Sequence, residues 1–67
     1  MTKIAEQIKE LREEKNLSQR ALAKETGYSQ AAIARWEAGL QVPNVEVAVT
    51  FARYFDVSVD YLLGLED

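Results

Sequence analysis

The chain has 67 residues, a net charge of −3, and neither cysteine nor histidine. This length specifies one small domain with a thin margin of stability, and the missing residue types exclude a disulfide framework and the usual zinc sites. No apolar run approaches the ~20 residues of a membrane span, and the N-terminus lacks the apolar block of a signal peptide. We therefore expect a cytoplasmic protein without membrane association, metal or cofactor.

Residues 3–15 predict an amphipathic first helix. Ile4, Ile8 and Leu11 recur at the spacing of one buried helix face, and Lys and Glu residues surround them. Asn16 is typical of the left-handed residue that ends a helix.

A second helix is predicted to begin after Ser18, whose hydroxyl suits an N-cap. Leu22 is its main core residue, and Ala23 is small enough for two helix backbones to approach. The helix is expected to end near Thr26, because Gly27 can adopt a left-handed turn without strain.

The third helix is predicted to begin after Ser29 and to end at Gly39. Ile33 and Trp36 are three residues apart, so they share its inward face. Two short helices around one glycine are the sequence form of a helix-turn-helix, whose second helix commonly enters the major groove of DNA.

A fourth helix is predicted from Asn44 to about Phe55. The valines of residues 45–49 alternate as in a strand, but the following residues continue at helical spacing and a lone strand would have no partner. The predicted inward row is Val45, Ala48, Val49, Ala52 and Phe55. A short fifth helix, Val59 to Leu63, is predicted to follow Ser58 as its N-cap and completes an all-α fold.

Charge is distributed unevenly along the chain. Residues 15–37 carry four basic and two acidic side chains, a local charge of +2, whereas residues 38–67 carry one basic and five acidic side chains. An acidic protein can therefore present a mildly basic face to DNA. Its affinity for phosphates should be modest and sensitive to salt.

Four segments in order, LREEKNLSQRALA, GYSQAAIARWEAG, VP and FDVSVDYLLG, resemble the Cro/C1-type helix-turn-helix domain of phage repressors and related bacterial regulators, the XRE family. The resemblance covers about residues 4–65. It implies a compact five-helix, lambda-repressor-like domain, here residues 1–67, that binds double-stranded operator DNA as a two-fold dimer.

The resemblance also implies which residues contact DNA. Gln30 matches a position that reads a base edge, and a glutamine amide fits adenine as a bidentate pair. Gln19 matches a residue that contacts phosphate and supports Gln30, and Asn44 matches a backbone anchor. The full predicted contact set is Gln19, Tyr28, Ser29, Gln30, Ala31, Ala32, Ala34, Arg35 and Asn44.

Several of these assignments leave alternatives open. Arg35 can grip a guanine, a phosphate or neighbouring glutamates, and phosphate is favoured. The alanines depart from the larger polar residues of many relatives. They can contact thymine methyl groups, or they can simply favour helix formation. The ring of Tyr28 is expected to cover the core, while its hydroxyl can reach a phosphate.

Two further roles, a structural salt bridge and a dimer surface, are expected. Arg12 and Glu37 match positions where an arginine of the first helix pairs with a glutamate of the third, as a structural salt bridge. Tyr61, Leu63 and Leu65 are candidates for a self-complementary dimer surface.

The favoured function is a sequence-specific, repressor-like regulator of transcription that binds a palindromic operator. The alternative is a protein-interaction module, such as an antitoxin or an anti-repressor partner, which the acidic balance and the alanine-lined third helix favour. We expect neither an enzyme nor a small-molecule substrate, because the chain lacks histidine and cysteine and has no carboxylate pair in an apolar setting.

Overall fold

The computed structural model describes residues 3–65, which form five helices and no strand. The helices are α1 (Lys3–Glu14), α2 (Gln19–Thr26), α3 (Gln30–Glu37), α4 (Val45–Phe55) and α5 (Val59–Leu63). The all-α prediction is confirmed, and residues 45–49 belong to a helix. The predicted domain of residues 1–67 includes four residues that lie outside the described part of the chain.

Hydroxyl side chains begin three of the helices, as predicted. The Oγ atoms of Ser18, Ser29 and Ser58 each accept a hydrogen bond from the backbone N–H of the residue three positions later, at 3.0, 3.1 and 2.9 Å. Each bond satisfies one of the N–H groups that a helix start leaves free. The caps therefore set where α2, α3 and α5 begin.

Left-handed residues end the helices. Asn16 has φ of 57° and Gly27 has φ of 82°, which confirms both predicted stops. Asp56 also has φ of 57° and ends α4, a position that sequence reasoning missed. Asp and Asn tolerate this conformation better than other non-glycine residues, because their short side chains bond locally.

The core lies where the five helices meet. Phe51, Ile8, Leu22, Ile33 and Leu62 are its largest fully buried side chains. Tyr28, Trp36 and Phe51 add an aromatic cluster with ring centroids 5.3–5.7 Å apart, in edge and tilted arrangements. Such pairs contribute beyond the area they bury. They fix α3 against α4.

The inward row of α4 agrees with the prediction at Ala48, Ala52 and Phe55 and differs at its other positions. Val45 is 78% exposed, whereas Val47 and Phe51 are buried. Val49 is only partly buried. Both rows obey helical spacing, so periodicity alone did not distinguish them. The large ring of Phe51 fills the centre of the domain and thereby sets the rotation of the helix.

A buried polar residue joins the two ends of the chain. Gln7 of α1 is 9% exposed, and its Nε2 donates to the backbone oxygen of Tyr61 in α5 at 3.2 Å. The same carbonyl also accepts the N–H of Gly64 at 3.1 Å, so the Gln7 bond adds a link between α1 and the end of α5. Sequence reasoning missed this contact, since a glutamine among charged residues has the pattern of solvated surface.

Candidate nucleic-acid interface

The helix α3 has one face in the core and one face in solvent. Ile33 and Trp36 are 0% and 7% exposed, which anchors the helix along its inner side. Gln30, Ala31 and Arg35 are exposed. Because these residues lie within one and a half turns, they form a short row that another molecule can contact.

Ala32 and Ala34 complete the set of alanines but differ in position. Ala34 is partly buried and lines a groove that also contains Gln19. Ala32 is partly buried and packs against the hydrophobic core. This packing argues against a side-chain contact of Ala32 with DNA.

Ser29 and Tyr28 precede the exposed row. The Oγ atom of Ser29 accepts the N–H of Ala32 as the N-cap of α3. The ring of Tyr28 contacts Trp36 and Phe51, so it covers the core as expected. The Tyr28 side chain is only partly buried, and its contact with a phosphate stays a prediction.

The N-termini of α2 and α4 supply two further groups. Asn44 is exposed and caps α4, with its Oδ1 accepting the N–H of Val47 at 2.9 Å. The cap does not use the amide nitrogen of Asn44, which is a donor suited to an anion. Helix N-termini favour anions because their N–H groups and the helix dipole both point outward.

Gln19 has a partner that the sequence did not indicate. Its Nε2 donates to Oε1 of Glu37 at 3.1 Å. Within residues 3–65 no hydrogen bond joins Gln19 to Gln30, which is exposed, and the support of Gln30 by Gln19 stays a prediction. The amide of Gln19 is therefore tied to the end of α3.

Arg12 and Glu37 form a two-pronged ion pair. The Nε and Nη2 atoms of Arg12 donate to Oε2 and Oε1 of Glu37 at 2.7 and 2.9 Å, and Nη1 donates to the backbone oxygen of Leu17 at 2.7 Å. The side chains are 12% and 4% exposed. Hydrogen bonding to Glu37 raises the pKa of Arg12, which keeps the guanidinium charged.

Arg35 also has a partner that was missed. Its Nε donates to Oε1 of Gln41, in the loop after α3, at 3.2 Å on the surface. A single exposed hydrogen bond to a neutral amide holds a side chain only weakly, because water competes for both groups. The guanidinium of Arg35 therefore stays available to an anion.

The candidate dimer residues, at the end of α5 and after it, differ in how far they are exposed to solvent. Tyr61 is partly buried, whereas Leu63 and Leu65 are 43% and 72% exposed. Leu62, between Tyr61 and Leu63, is fully buried.

None of the helices within residues 3–65 is long and apolar enough to cross a membrane.

Two short helices joined at Gly27, the second with a solvent-facing polar row, define a helix-turn-helix DNA-binding domain. A family model described as helix-turn-helix matches residues 8–62. The chain belongs to this helix-turn-helix family, in the Cro/C1-type branch that its sequence resembles.

Relatives of known name are regulators of transcription. The chain is 39% identical over 62 residues to the HTH-type transcriptional activator BcrR of Enterococcus faecalis, covering 92% of this chain and 30% of that protein. It is 36% identical over 62 residues to the HTH-type transcriptional regulator YobD of Bacillus subtilis, covering 92% and 55%. The chain thus spans 30% and 55% of the length of these two relatives.

A solved structure of the P22 c2 repressor in complex with a synthetic operator is similar throughout. The TM-score is 0.86 at 32% identity, with 98% of this chain and 100% of that chain covered. A transcriptional regulator from Listeria innocua has the same TM-score at 25% identity, with 100% and 63% covered. The predicted five-helix repressor-like fold is confirmed.

Proposed function

We propose that this domain binds double-stranded DNA sequence-specifically and regulates transcription, with α3 lying in the major groove. The observation that carries the proposal is the exposed row of Gln30, Ala31 and Arg35 on a helix whose other face is buried. An α-helix fits the major groove, where base edges present distinct donors and acceptors. The P22 c2 repressor, which has a similar fold, was solved in complex with a synthetic operator, which supports DNA binding by this domain.

Phosphate contacts are assigned to the two helix N-termini beside α3. Gln19 begins α2 and Asn44 caps α4, so each brings free backbone N–H groups and an amide to an anion. Arg35 and the hydroxyls of Tyr28 and Ser29 add donors. These contacts set the register of the protein on the duplex and carry no sequence information by themselves.

Base reading falls to a small set of side chains. Gln30 can pair with adenine N6 and N7, and Ala31 and Ala34 can contact thymine methyl groups. Such a set reads few base pairs, so sequence-dependent DNA shape should add to the discrimination. The expected operator is therefore short and rich in A·T pairs beneath α3.

A homodimer with two-fold symmetry is part of the proposal. Leu63 and Leu65 expose apolar surface beside Tyr61, and a two-fold interface uses one patch twice. Two copies would read two half-sites one helical turn apart, about 10 bp centre to centre. A regulator of this class acts where bacterial DNA lies, in the cytoplasm.

Selection of bound duplexes from a random pool tests the function and the symmetry together. We expect an enriched palindrome, with binding that weakens as salt rises. A single enriched half-site would contradict the dimer and leave DNA binding intact. No enrichment and no salt-dependent binding at low ionic strength would contradict the regulator itself.

One observation favours protein interaction as a second candidate. Leu40, Val42 and Val45, in and after the loop that follows α3, are 78%, 60% and 78% exposed. Large apolar side chains grouped along one short segment are typical of protein contacts. If the duplex selection fails, this segment is where substitutions to charged residues should abolish binding of a protein partner.

A further inference from the structure

The carboxylate of Glu37 receives hydrogen bonds from two different helices. Oε2 accepts from Arg12 of α1, while Oε1 accepts from both Arg12 and Gln19 of α2. The Glu37 side chain itself is 4% exposed. One buried carboxylate at the end of α3 thus holds the partly buried Arg12 of α1 and also Gln19, the first residue of α2.

The chemistry of this contact determines how the Gln19 amide is turned. An ionised carboxylate can only accept hydrogen bonds, so the amide nitrogen of Gln19 must face Glu37. The carbonyl oxygen Oε1 and the second N–H of the amide are then left for a ligand. A glutamine without this contact would sample several rotamers and would lose that freedom on binding.

The held amide lies beside the face that is proposed to contact DNA. Gln19 and Ala34 line one groove between α1, α2 and the end of α3. The methyl group of Ala34 leaves space next to the amide, which a longer side chain would fill. Gln19 is partly buried, so its outward groups are accessible from this groove.

We infer that Glu37 is a positioning residue for DNA binding as well as a member of the structural ion pair, because it presents the Gln19 amide in one orientation. The inference rests on the proposed function. Glu37 does not contact DNA in this arrangement. It acts through Gln19, so its effect on affinity disappears when Gln19 has no amide.

A double-mutant cycle on operator affinity tests this dependence. The proteins are the unsubstituted chain, Gln19→Ala, Glu37→Gln and the double variant, each compared at equal folded concentration after a urea titration. Gln19→Ala should weaken binding about tenfold, and Glu37→Gln about fivefold, by loss of the charged acceptor. In the Gln19→Ala background, Glu37→Gln should weaken binding less than twofold.

Equal weakening by Glu37→Gln in both backgrounds would overturn the inference, because a purely structural role does not depend on Gln19. DNA binding itself would still stand in that case. Failure of the unsubstituted chain to bind any duplex would overturn the proposed function and this inference together.

NMR of the unsubstituted chain needs no variant to fold. A hydrogen bond to a carboxylate should shift one side-chain N–H proton of Gln19 away from its position in the exposed amide of Gln30, which serves as the internal reference. Coincident shifts for the two glutamines would show a free Gln19 amide and would also overturn the inference.

Discussion

The two faces of α3 differ in burial and in how firmly their side chains are held. The inner face is crowded: Ile33 and Trp36 are buried, and Glu37 at its end holds Arg12 and Gln19 through three hydrogen bonds. The outer face carries short or weakly held side chains, and Arg35 donates one exposed hydrogen bond to Gln41. Fold and recognition therefore depend on different residues of one eight-residue helix, and substitutions should separate them.

Glu37→Ala should have the largest effect, on the inner face. It leaves the Arg12 guanidinium buried and without its carboxylate, which costs about 3–5 kcal/mol of unfolding free energy. A domain of this size has little margin, so we expect the melting transition to fall far or vanish. Circular dichroism during heating measures it. Glu10→Ala, at an exposed glutamate of α1, is the control, and an unaltered melting temperature for Glu37→Ala would contradict the structural role.

Gln30→Ala should have the largest effect on the outer face. Losing a bidentate amide–adenine pair should cost about 1–3 kcal/mol of binding free energy and relax selectivity at one base pair. Because Gln30 is exposed, the melting temperature should stay the same within a degree or two. Titration against the selected duplex, and against a duplex changed at that base pair, measures both quantities. A loss of affinity equal on both duplexes would contradict base reading.

Gly27→Ala probes the turn that orients the two faces. The residue has φ of 82°, and a Cβ added there would meet no atom within 4 Å. Its cost is therefore backbone strain alone, about 1–2 kcal/mol of unfolding free energy. Gly27→Asn is the matched control, since asparagine tolerates this conformation better. If urea unfolding gives equal stability for the two variants, strain at this φ is not what the glycine relieves.

The sequence predicted most of the inner face and little of the surroundings of the outer one. Helix periodicity, serine caps and Gly27 placed α2 and α3 correctly, because each is a local property of the chain. The ion pair of Arg12 and Glu37 required a family resemblance, since 25 residues separate its members. Hydrophobic periodicity and capping signals are local, so they do not predict a contact between residues this far apart in the sequence.

The contacts of Gln19 and Gln7 were missed for a related reason. Both are glutamines whose partners belong to other helices, 18 and 54 residues away, so no local sequence pattern indicates the contact. The exposure of Val45 and the burial of Phe51 were missed because two rows of α4 obey the same periodicity. Tertiary packing chose between them.

Arg35→Gln should have the smallest effect on DNA affinity. It tests whether Arg35, at the end of the outer face, contacts a phosphate or a base. If Arg35 binds a phosphate, the slope of log affinity against log salt should become shallower by about 0.9, the contribution of one released counterion. Glutamine is polar and has a helix propensity close to that of arginine, so the helix should be unaffected, and affinity should fall about equally for all duplexes. A change in base preference at one position, with an unchanged salt slope, would instead assign Arg35 to a guanine. That outcome would enlarge the set of base-reading side chains beyond Gln30 and leave the inner face as it is.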